Sequence, residues 1–318
     1  MNVNNLNNVS YLDRVRIDNG IKILQSTFYD LSRNNKSKAV QLLNDENLTF
    51  VCFYVLLSQI ELVQISSGLS QRNLQAMQFC KQNNIKGQPA ITKPVLQWIF
   101  NTSVQEENLS EEFEEVLDRS AVQLLITFKD QTILPLVTEL MFRRHRQGKH
   151  MHDLAWSFFK SQDADTMPLV ASYIRSENER DNQLAYKLLN FKPELQPNDK
   201  VTQYHNFHKW LDENRRFLYP TGESMQVTSA PKHWRVDLTA KYLCKDVVTT
   251  SQARANLLSG VQQKNLITFK SMEHADQKLL AKYSYKTHER DLAVWNGWMK
   301  TPIERQIIMA KAELGGAK

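Results

Sequence analysis

The sequence predicts an all-α protein of stacked helical hairpins, with further helical regions on either side. Three observations support this fold class. Glycine and proline number only nine each among 318 residues, which favours helices over sheets. Apolar residues recur at helical spacing through most of the chain. A repeat with a period of roughly 30 to 35 residues, long enough to hold two helices, runs through residues 120–192.

The repeat is visible as two recurring patterns. Leu154-Ala155 begins a Leu-Ala-aromatic-x-apolar-apolar segment that recurs at Leu184-Ala185, and a shorter version begins at Ala121. Pro135-Leu136-Val137 recurs as Pro168-Leu169-Val170. Each proline falls in the first turn of a second helix, where its missing N–H costs little. Each copy therefore predicts two helices joined by a short loop, and stacking of neighbouring copies would bury their apolar faces.

The apolar stripes of the repeat predict core residues. Leu154 and Phe158 lie on the same side of the first helix of the second copy, because they are four residues apart. Asp165 and Thr132 stand where an N-terminal cap is expected for the second helix of their copies. Phe158 is therefore predicted to be buried.

This pattern resembles the HEAT-like family of α-solenoids. The resemblance covers residues 120–192 and is one of architecture. It implies a curved stack of helix pairs whose concave face binds a protein or a nucleic acid, and it implies no single activity. The Asp and Arg positions that HEAT-like units usually carry have no clean match in this sequence. The alternative is an irregular helical domain that contains two similar hairpins.

Residues 1–108 are predicted to form an N-terminal helical region. Its apolar periodicity predicts helices over 11–34, 37–43, 48–66, 71–83 and 91–100. In the first of these, Ile17 and Ile21 share a side with Leu24 and Phe28, although Gly20 could interrupt the helix. The polar stretch 101–110 is the predicted boundary.

The array itself is assigned to residues 109–197. Ser110 is predicted to cap its first helix, and Glu111, Glu112, Glu114 and Glu115 follow. Carboxylates are favoured at a helix N-terminus by the helix dipole, so we interpret these glutamates as capping residues.

Residues 198–318 are predicted to form a C-terminal helical region. A helix over 200–217 precedes residues 219–237, which show no helical period and are interpreted as a long loop. Loops of this length in helical proteins are often functional. Helices are then predicted at 238–245, near 251–258, at 271–285, at 291–299 and from 301 to Gly315-Gly316.

Composition argues against a disulfide-stabilised, secreted or membrane-spanning protein. Three widely separated cysteines, Cys52, Cys80 and Cys244, argue against a disulfide framework and for a reducing compartment. The polar N-terminus lacks the pattern of a signal peptide, and the longest apolar run, 50–57, is far shorter than a membrane span. We therefore expect a cytoplasmic protein without a membrane span.

Charge is distributed unevenly along the chain. The net charge is +6; residues 1–120 carry 11 Lys and Arg against 13 Asp and Glu, and the remainder carries 29 against 21. An anionic partner would therefore meet the later part of the chain, residues 121–318.

Two basic clusters are candidate partner-binding sites. The first consists of Arg143, Arg144, Arg146 and Lys149, which are predicted to be exposed near a helix C-terminus. They could contact phosphates, or simply complement the helix dipole. The second surrounds the 219–237 loop and consists of Arg215, Arg216, Lys232, Trp234 and Arg235. Basic residues beside an exposed aromatic suit single-stranded nucleic acid or a protein hot spot, although Trp234 could instead anchor the loop.

Sites for catalysis or metal binding are weakly indicated. His205, His208 and Asp212 could share one helix face, where they would suit zinc or iron, but histidines so spaced are common at the edge of a packed helix. Neither a phosphate-binding glycine loop nor a nucleophile elbow is present. We therefore predict no catalytic residues, no bound metal and no cofactor.

These observations favour a non-enzymatic interaction module or scaffold that holds a protein partner in a larger assembly. One alternative is a nucleic-acid-binding protein that uses a basic face of the array. A second is a helical metal-binding enzyme centred on His205 and His208.

Overall fold

The structure is a computed structural model that describes residues 9–82, 87–107, 109–161, 164–191, 199–247 and 259–314. Within these residues the chain forms α-helices, short 3₁₀ turns and one two-stranded sheet, so the predicted all-α class is confirmed. The chain divides into two compact units, Met1–Leu169 and Val170–Lys318, which we call unit 1 and unit 2. The division falls inside the proposed array 109–197, and the three predicted regions stay a prediction.

In the described part of unit 1, all regular secondary structure is helical. Its helices are α1 (Tyr11–Asn19), α2 (Ile21–Asn34), α3 (Lys36–Leu43), α4 (Phe50–Val55), α5 (Leu57–Leu62), α6 (Gln71–Gln82), α7 (Pro89–Asn101), α8 (Glu111–Ile126), α9 (Leu134–Gln147) and α10 (His152–Lys160), and α11 (Thr166–Ala171) spans the division. Serine caps begin two of these helices. Ser10 Oγ accepts the Asp13 N–H at 3.0 Å, and Ser110 Oγ accepts the Phe113 N–H at 3.2 Å, as predicted for Ser110.

Gly20 separates α1 from α2. Its φ of +83° lies in a region that residues with a Cβ avoid, so the chain turns there and does not continue one helix. Leu24 and Phe28 are fully buried, whereas Ile17 and Ile21 are 63% and 37% exposed. The prediction that all four share one side of a helix is therefore wrong for Ile17, which lies in α1 before the turn at Gly20. Ile21 keeps its helical spacing to Leu24 and Phe28 in α2 and is partly exposed at the start of that helix.

Aromatic side chains form part of the core of unit 1. Phe50 stacks on Phe113 with ring centroids 6.2 Å apart and meets Trp98 edge-on at 5.4 Å. The Trp98 indole N–H donates to the Leu48 carbonyl at 2.8 Å, which satisfies its polar end. α8 packs against both α7 and α10. The single helix predicted over 48–66 is instead two short helices, α4 and α5, which meet at Leu56.

The helices of the first two repeat copies lie where the repeat predicts them. α8 and α9 occupy the first copy, and α10 and α11 occupy the second. Leu154 and Phe158 are fully buried, which confirms the predicted stripe on α10. Before α9, Asp130 rather than Thr132 supplies the capping oxygen, because the Thr132 N–H donates to Asp130 Oδ1 at 3.2 Å. The stacking of successive hairpins stays a prediction.

Unit 2 contains helices and a short hairpin. Its elements after α11 are α12 (Glu179–Leu189), α13 (Lys200–Asn214), β1 (Leu218–Pro220), β2 (Trp234–Val236), α14 (Leu238–Tyr242), α15 (Gly260–Ser271), α16 (His274–Arg290), α17 (Leu292–Met299) and α18 (Ile303–Leu314). The helix predicted near 251–258 and the stop at Gly315-Gly316 lie outside the described residues.

The segment 219–237 is more ordered than the predicted loop. β1 and β2 pair antiparallel, with Leu218 opposite Val236. Between the strands, Thr221 donates its N–H to the His233 carbonyl at 3.0 Å, and His233 is buried. The loop is therefore closed by a small sheet, whose three-residue strands are too short to show an alternating pattern in the sequence.

The core of unit 2 gathers around Tyr242. Its ring stacks on Phe269 at 4.4 Å and meets Trp298 at 5.9 Å. The Tyr242 hydroxyl donates to Gln306 Oε1 at 2.7 Å, and Ser284 Oγ donates to the Tyr242 carbonyl at 2.6 Å. These buried contacts hold α14 against α16 and α18, and Trp298 is buried in the same core.

Candidate functional site

A groove of about 660 Å³ opens on the surface of unit 1 where the start of α8 faces the end of α9 and the start of α10. Its lining is mostly charged, and we call it the acidic groove. The lining residues are Ser110, Glu111, Glu114, Glu115, Asp118, Arg144, Gly148, Lys149, His150 and Asp153.

Local sequence signals place these side chains. Ser110 caps α8, so the glutamates that follow lie in its first turns, where the helix dipole favours negative charge. Gly148 has a φ of +71° and ends α9 in the left-handed conformation, which turns the chain toward α10. The acidic N-terminus of α8 and the basic C-terminus of α9 therefore meet at the groove.

Two ion pairs cross the groove wall. Arg144 Nη1 lies 2.5 Å from Asp118 Oδ2, and Lys149 Nζ lies 2.5 Å from Glu114 Oε1. Five carboxylates and two cations line the groove, so its formal charge is −3 with His150 neutral. Because negative charge is in excess, the groove attracts cations.

Asp118 is the most perturbed carboxylate of the groove. Burial raises its pKa to about 6, against the opposing effect of Arg144, and the nearby charges of Asp153 and Glu114 raise it further. Its second oxygen, Oδ1, is buried and has no hydrogen-bond partner among the described residues. Asp118 consequently takes up a proton just below neutral pH, which makes the groove less negative.

The first predicted basic cluster is not an exposed patch. Arg143 and Arg144 are only 9% and 4% exposed, so the prediction that they are exposed is wrong. Arg143 donates to the Val104 carbonyl and lies 3.4 Å from Glu107, while Lys149 is half-buried. Arg143 pairs with Glu107 before α8, and Arg144 and Lys149 pair with Asp118 and Glu114 within α8. The neutralisation of these cations therefore depends on tertiary structure. Arg146 is half-buried as well.

The second predicted cluster lies in unit 2 around β1 and β2. Arg215, Arg216, Lys232 and Arg235 are exposed, as expected. Arg216 Nε pairs with Asp246 at 2.8 Å, and Arg235 Nη2 pairs with Glu223 at 2.7 Å.

Trp234 lies in β2, where its side chain is half-buried. It therefore does not form the exposed stacking surface that the nucleic-acid interpretation of this loop requires.

The histidine pair on α13 is split between two environments. His205 is exposed, whereas His208 is half-buried and packs on Tyr204 with ring centroids 4.3 Å apart. Across the described ranges, no group of three or more His, Cys, Asp or Glu side chains is arranged to hold a metal ion. Asp212 is exposed.

The three cysteines are held as thiols. Burial raises the pKa of Cys80 to about 12 and that of Cys244 to about 11, and it raises that of Cys52 further. A thiol needs to ionise before it attacks, so these positions are poor nucleophiles at neutral pH.

Sequence reasoning missed the groove because it assigned the glutamates of α8 to capping alone. A signal was present: Glu111, Glu114, Glu115 and Asp118 follow one another at spacings that place them on one side of a helix. The contributions of Lys149 and Asp153 depend on how α9 and α10 fold back, which no local pattern encodes.

Comparison of the chain with protein-family models, with curated protein sequences and with solved structures finds no match. In the described part of the chain, no helix combines the length and apolar character needed to cross a membrane.

Proposed function

We propose that this protein is a non-enzymatic helical interaction module whose acidic groove holds a cationic segment of a protein partner within a larger assembly. The observation that carries the proposal is the groove itself: about 660 Å³ of concave space with five carboxylates against two cations. Pockets that bind ligands commonly enclose about 300 to 1,000 Å³. This groove is large enough for one or two long side chains.

The chemistry of the groove favours arginine and lysine. A carboxylate accepts two parallel hydrogen bonds from a guanidinium group, which gives both affinity and orientation. Arg144 and Lys149 already engage Asp118 and Glu114, which leaves Glu111 and Glu115 as exposed acceptors at the rim. Glu115 has only a 3.8 Å contact with Arg119, and an exposed contact of this kind contributes little.

The surrounding fold suits a rigid binding surface. Ser110 fixes the start of α8, and α8 packs against α7 and α10, so the rim glutamates project from a helix and not from a loop. We further propose that α8 to α11 belong to a HEAT-like array, supported by the recurring helix order and the buried stripe through Leu154 and Phe158.

A defined peptide tests the groove. The probe is a fluorescein-labelled peptide of alternating Arg and Ser, and binding is followed by fluorescence polarisation with the full chain. We expect Glu111→Gln/Glu115→Gln to weaken binding about fivefold at about 0.1 M salt, since exposed charge pairs contribute about 0.2 to 1 kcal/mol each.

The matched control is Asp18→Asn/Asp30→Asn, which removes two exposed carboxylates from α1 and α2, outside the groove. It should bind the peptide as the unaltered chain does. Equal weakening in both variants would show that only net charge matters. Absence of binding to the unaltered chain at about 0.05 M salt would refute the groove as a cationic site.

A further inference from the structure

A row of three lysines lies on α16 of unit 2. Lys278, Lys282 and Lys286 are exposed and one helical turn apart, so successive Cα atoms rise about 6 Å along the axis. We call them the lysine ladder.

No acid of the described residues forms an ion pair with any of the ladder lysines, and two acids close to α16 pair with other cations. Asp276 pairs with Lys311 at 3.6 Å, and Glu313 pairs with Arg290 at 2.6 Å.

The ladder works against the stability of its own helix. Like charges four residues apart on a helix destabilise it by about 0.2 to 0.5 kcal/mol per pair. Lys286 is close enough to help lower the pKa of Glu313, but the hydrogen bond to Arg290 is the larger cause. Lys278 and Lys282 form no ion pair in the described part of the chain. A row of like charges without ion-pair partners fits a surface that is neutralised by a ligand.

A buried cation lies beside the ladder. Lys241 of α14, which packs against α16, is only 5% exposed, and its Nζ lies 5.0 Å from the centroid of the Tyr285 ring. Its amine donates to Asn214 Oδ1 at 2.7 Å. Burial lowers the pKa of Lys241 to about 8; the charge of Glu213 opposes this lowering, and Lys282 adds a smaller lowering of its own. Lys241 is therefore still mostly charged at neutral pH and adds to the positive potential at the ladder.

Unit 2 as a whole supports an anionic partner. It holds 23 Lys and Arg against 16 Asp and Glu, a net charge of +7, whereas unit 1 holds 17 against 18, a net charge of −1. The exposed side of α16 has no large apolar side chain. Surfaces that dock on membranes combine basic residues with such apolar groups, so this face is poorly suited to a lipid bilayer.

We propose that the lysine ladder binds the phosphate backbone of a nucleic acid strand, independently of base sequence. A strand presents evenly spaced anions along a line, and a rigid helix presents the matching row of ammonium groups. The site is separate from the acidic groove and uses none of the residues singled out from the sequence. It does not depend on the function proposed for unit 1.

The test compares three full-length proteins for binding to a labelled single-stranded DNA of about 20 nucleotides across a salt series. With three phosphates neutralised, log K should fall with log salt at a slope of about −2, which is roughly a 20-fold loss between about 0.05 and 0.2 M. In the variant Lys278→Gln/Lys282→Gln/Lys286→Gln, most of this binding and most of the slope should disappear. Glutamine has nearly the helix propensity of lysine, and circular dichroism checks that the helices persist.

The matched control is Lys264→Gln/Lys270→Gln/Lys300→Gln, which removes the same charge from exposed positions elsewhere in unit 2. It should keep at least half of the salt slope. An equal loss in both variants, or unchanged binding in the ladder variant, would overturn the proposal.

Two further outcomes would assign the ladder to another partner and also overturn the proposal. One is ladder-dependent binding to phosphatidylserine vesicles with none to DNA. The other is salt-sensitive self-association that Glu111→Gln/Glu115→Gln abolishes, because the acidic groove of a second copy would then occupy the ladder.

Discussion

Arg144 stands in the last turn of α9, where the helix dipole alone would favour any cation at the surface. In the structure its side chain is instead buried against Asp118. The pair removes two charges from water, so its Coulombic attraction is offset by the cost of desolvation. The raised pKa of Asp118 reflects that cost.

Breaking this pair should destabilise unit 1. Arg144→Ala leaves Asp118 partly buried without its partner, and we expect a loss of about 2 to 3 kcal/mol. This is less than the 3 to 5 kcal/mol of a fully buried pair, because Asp118 keeps some access to solvent. Urea unfolding at pH 7 measures the loss.

The double variant Arg144→Ala/Asp118→Asn separates charge from packing. It should recover part of the lost stability, because the uncompensated carboxylate is gone. If Arg144→Ala alone unfolds as the unaltered chain does, Arg144 is an ordinary solvated cation and its placement here is wrong.

Phe158 offers a second test at the level of single residues. Its side chain is fully buried on α10 and meets Phe159 edge-on with ring centroids 5.1 Å apart. Phe158→Ala should lower the free energy of unfolding by about 3 to 5 kcal/mol, because it leaves a cavity. Chemical denaturation gives the value, and a loss below about 1 kcal/mol would be typical of a surface residue.

The two residues show what a single sequence can predict about burial. Phe158 was predicted correctly because the 3.6-residue period places apolar side chains on one face regardless of what covers them. Arg144 was not, because a long side chain is buried only when tertiary structure supplies a carboxylate at its tip. That carboxylate is 26 residues earlier in the chain.

At the scale of elements, glycines test the helix boundaries. Gly20 ends α1 with a φ of +83°, whereas Gly297 lies inside α17 without a positive φ, and a Cβ at either position would meet no atom within 4 Å. Gly20→Ala should therefore cost about 1 to 3 kcal/mol through backbone strain. Gly297→Ala should add about 0.5 to 1 kcal/mol by favouring the helix.

Urea unfolding of both variants gives the comparison directly. Equal effects of the same sign would show that the backbone at Gly20 does not have the conformation described.

The hairpin of β1 and β2 depends on a neutral histidine. His233 Nδ1 lies 3.2 Å from the Glu223 carbonyl oxygen, so Nδ1 carries the proton and donates it. Burial lowers the pKa of His233 to about 4. In the unfolded chain its pKa returns to about 6.5, so between these values only the unfolded state takes up a proton. Stability from this group is therefore present above pH 6.5 and is lost as pH falls toward 4.

The expected loss from His233 reaches roughly 3 kcal/mol near pH 4. The comparison is His233→Asn, whose amide can replace the Nδ1–H donor but does not titrate. Other carboxylates, including Glu223, titrate in both proteins, so the difference in their urea midpoints between pH 7 and pH 5 isolates His233. Identical pH dependence would mean that His233 is solvated in the folded protein.

Element prediction succeeded where the signal is local. The Ser110 cap and the helix order of the first two repeat copies both follow from residues within a few positions of each other. The hairpin of β1 and β2 was not predicted, because strands of three residues are too short to show an alternating pattern of apolar and polar residues. The continuous helix over 48–66 failed because an apolar run does not reveal the break at Leu56.

At the scale of the whole molecule, charge is divided between the two units. The sequence predicted an acidic beginning and a basic remainder, and the units carry net charges of −1 and +7. Yet the basic cluster that the sequence singled out, around Arg143, is neutralised within unit 1, and the groove beside it is acidic. Composition therefore predicted the sign of the net charge of each region. Where charged groups lack an opposite partner became clear only from the three-dimensional structure.

The most direct test of the central proposal is amide hydrogen exchange of the full chain with and without the Arg-Ser peptide. If the acidic groove holds the cationic segment, added protection should appear in residues 110–118 and 144–153, and it should vanish in Glu111→Gln/Glu115→Gln. Protection confined to other segments, or none while the peptide is bound, would contradict the assignment of the groove as the partner-binding site.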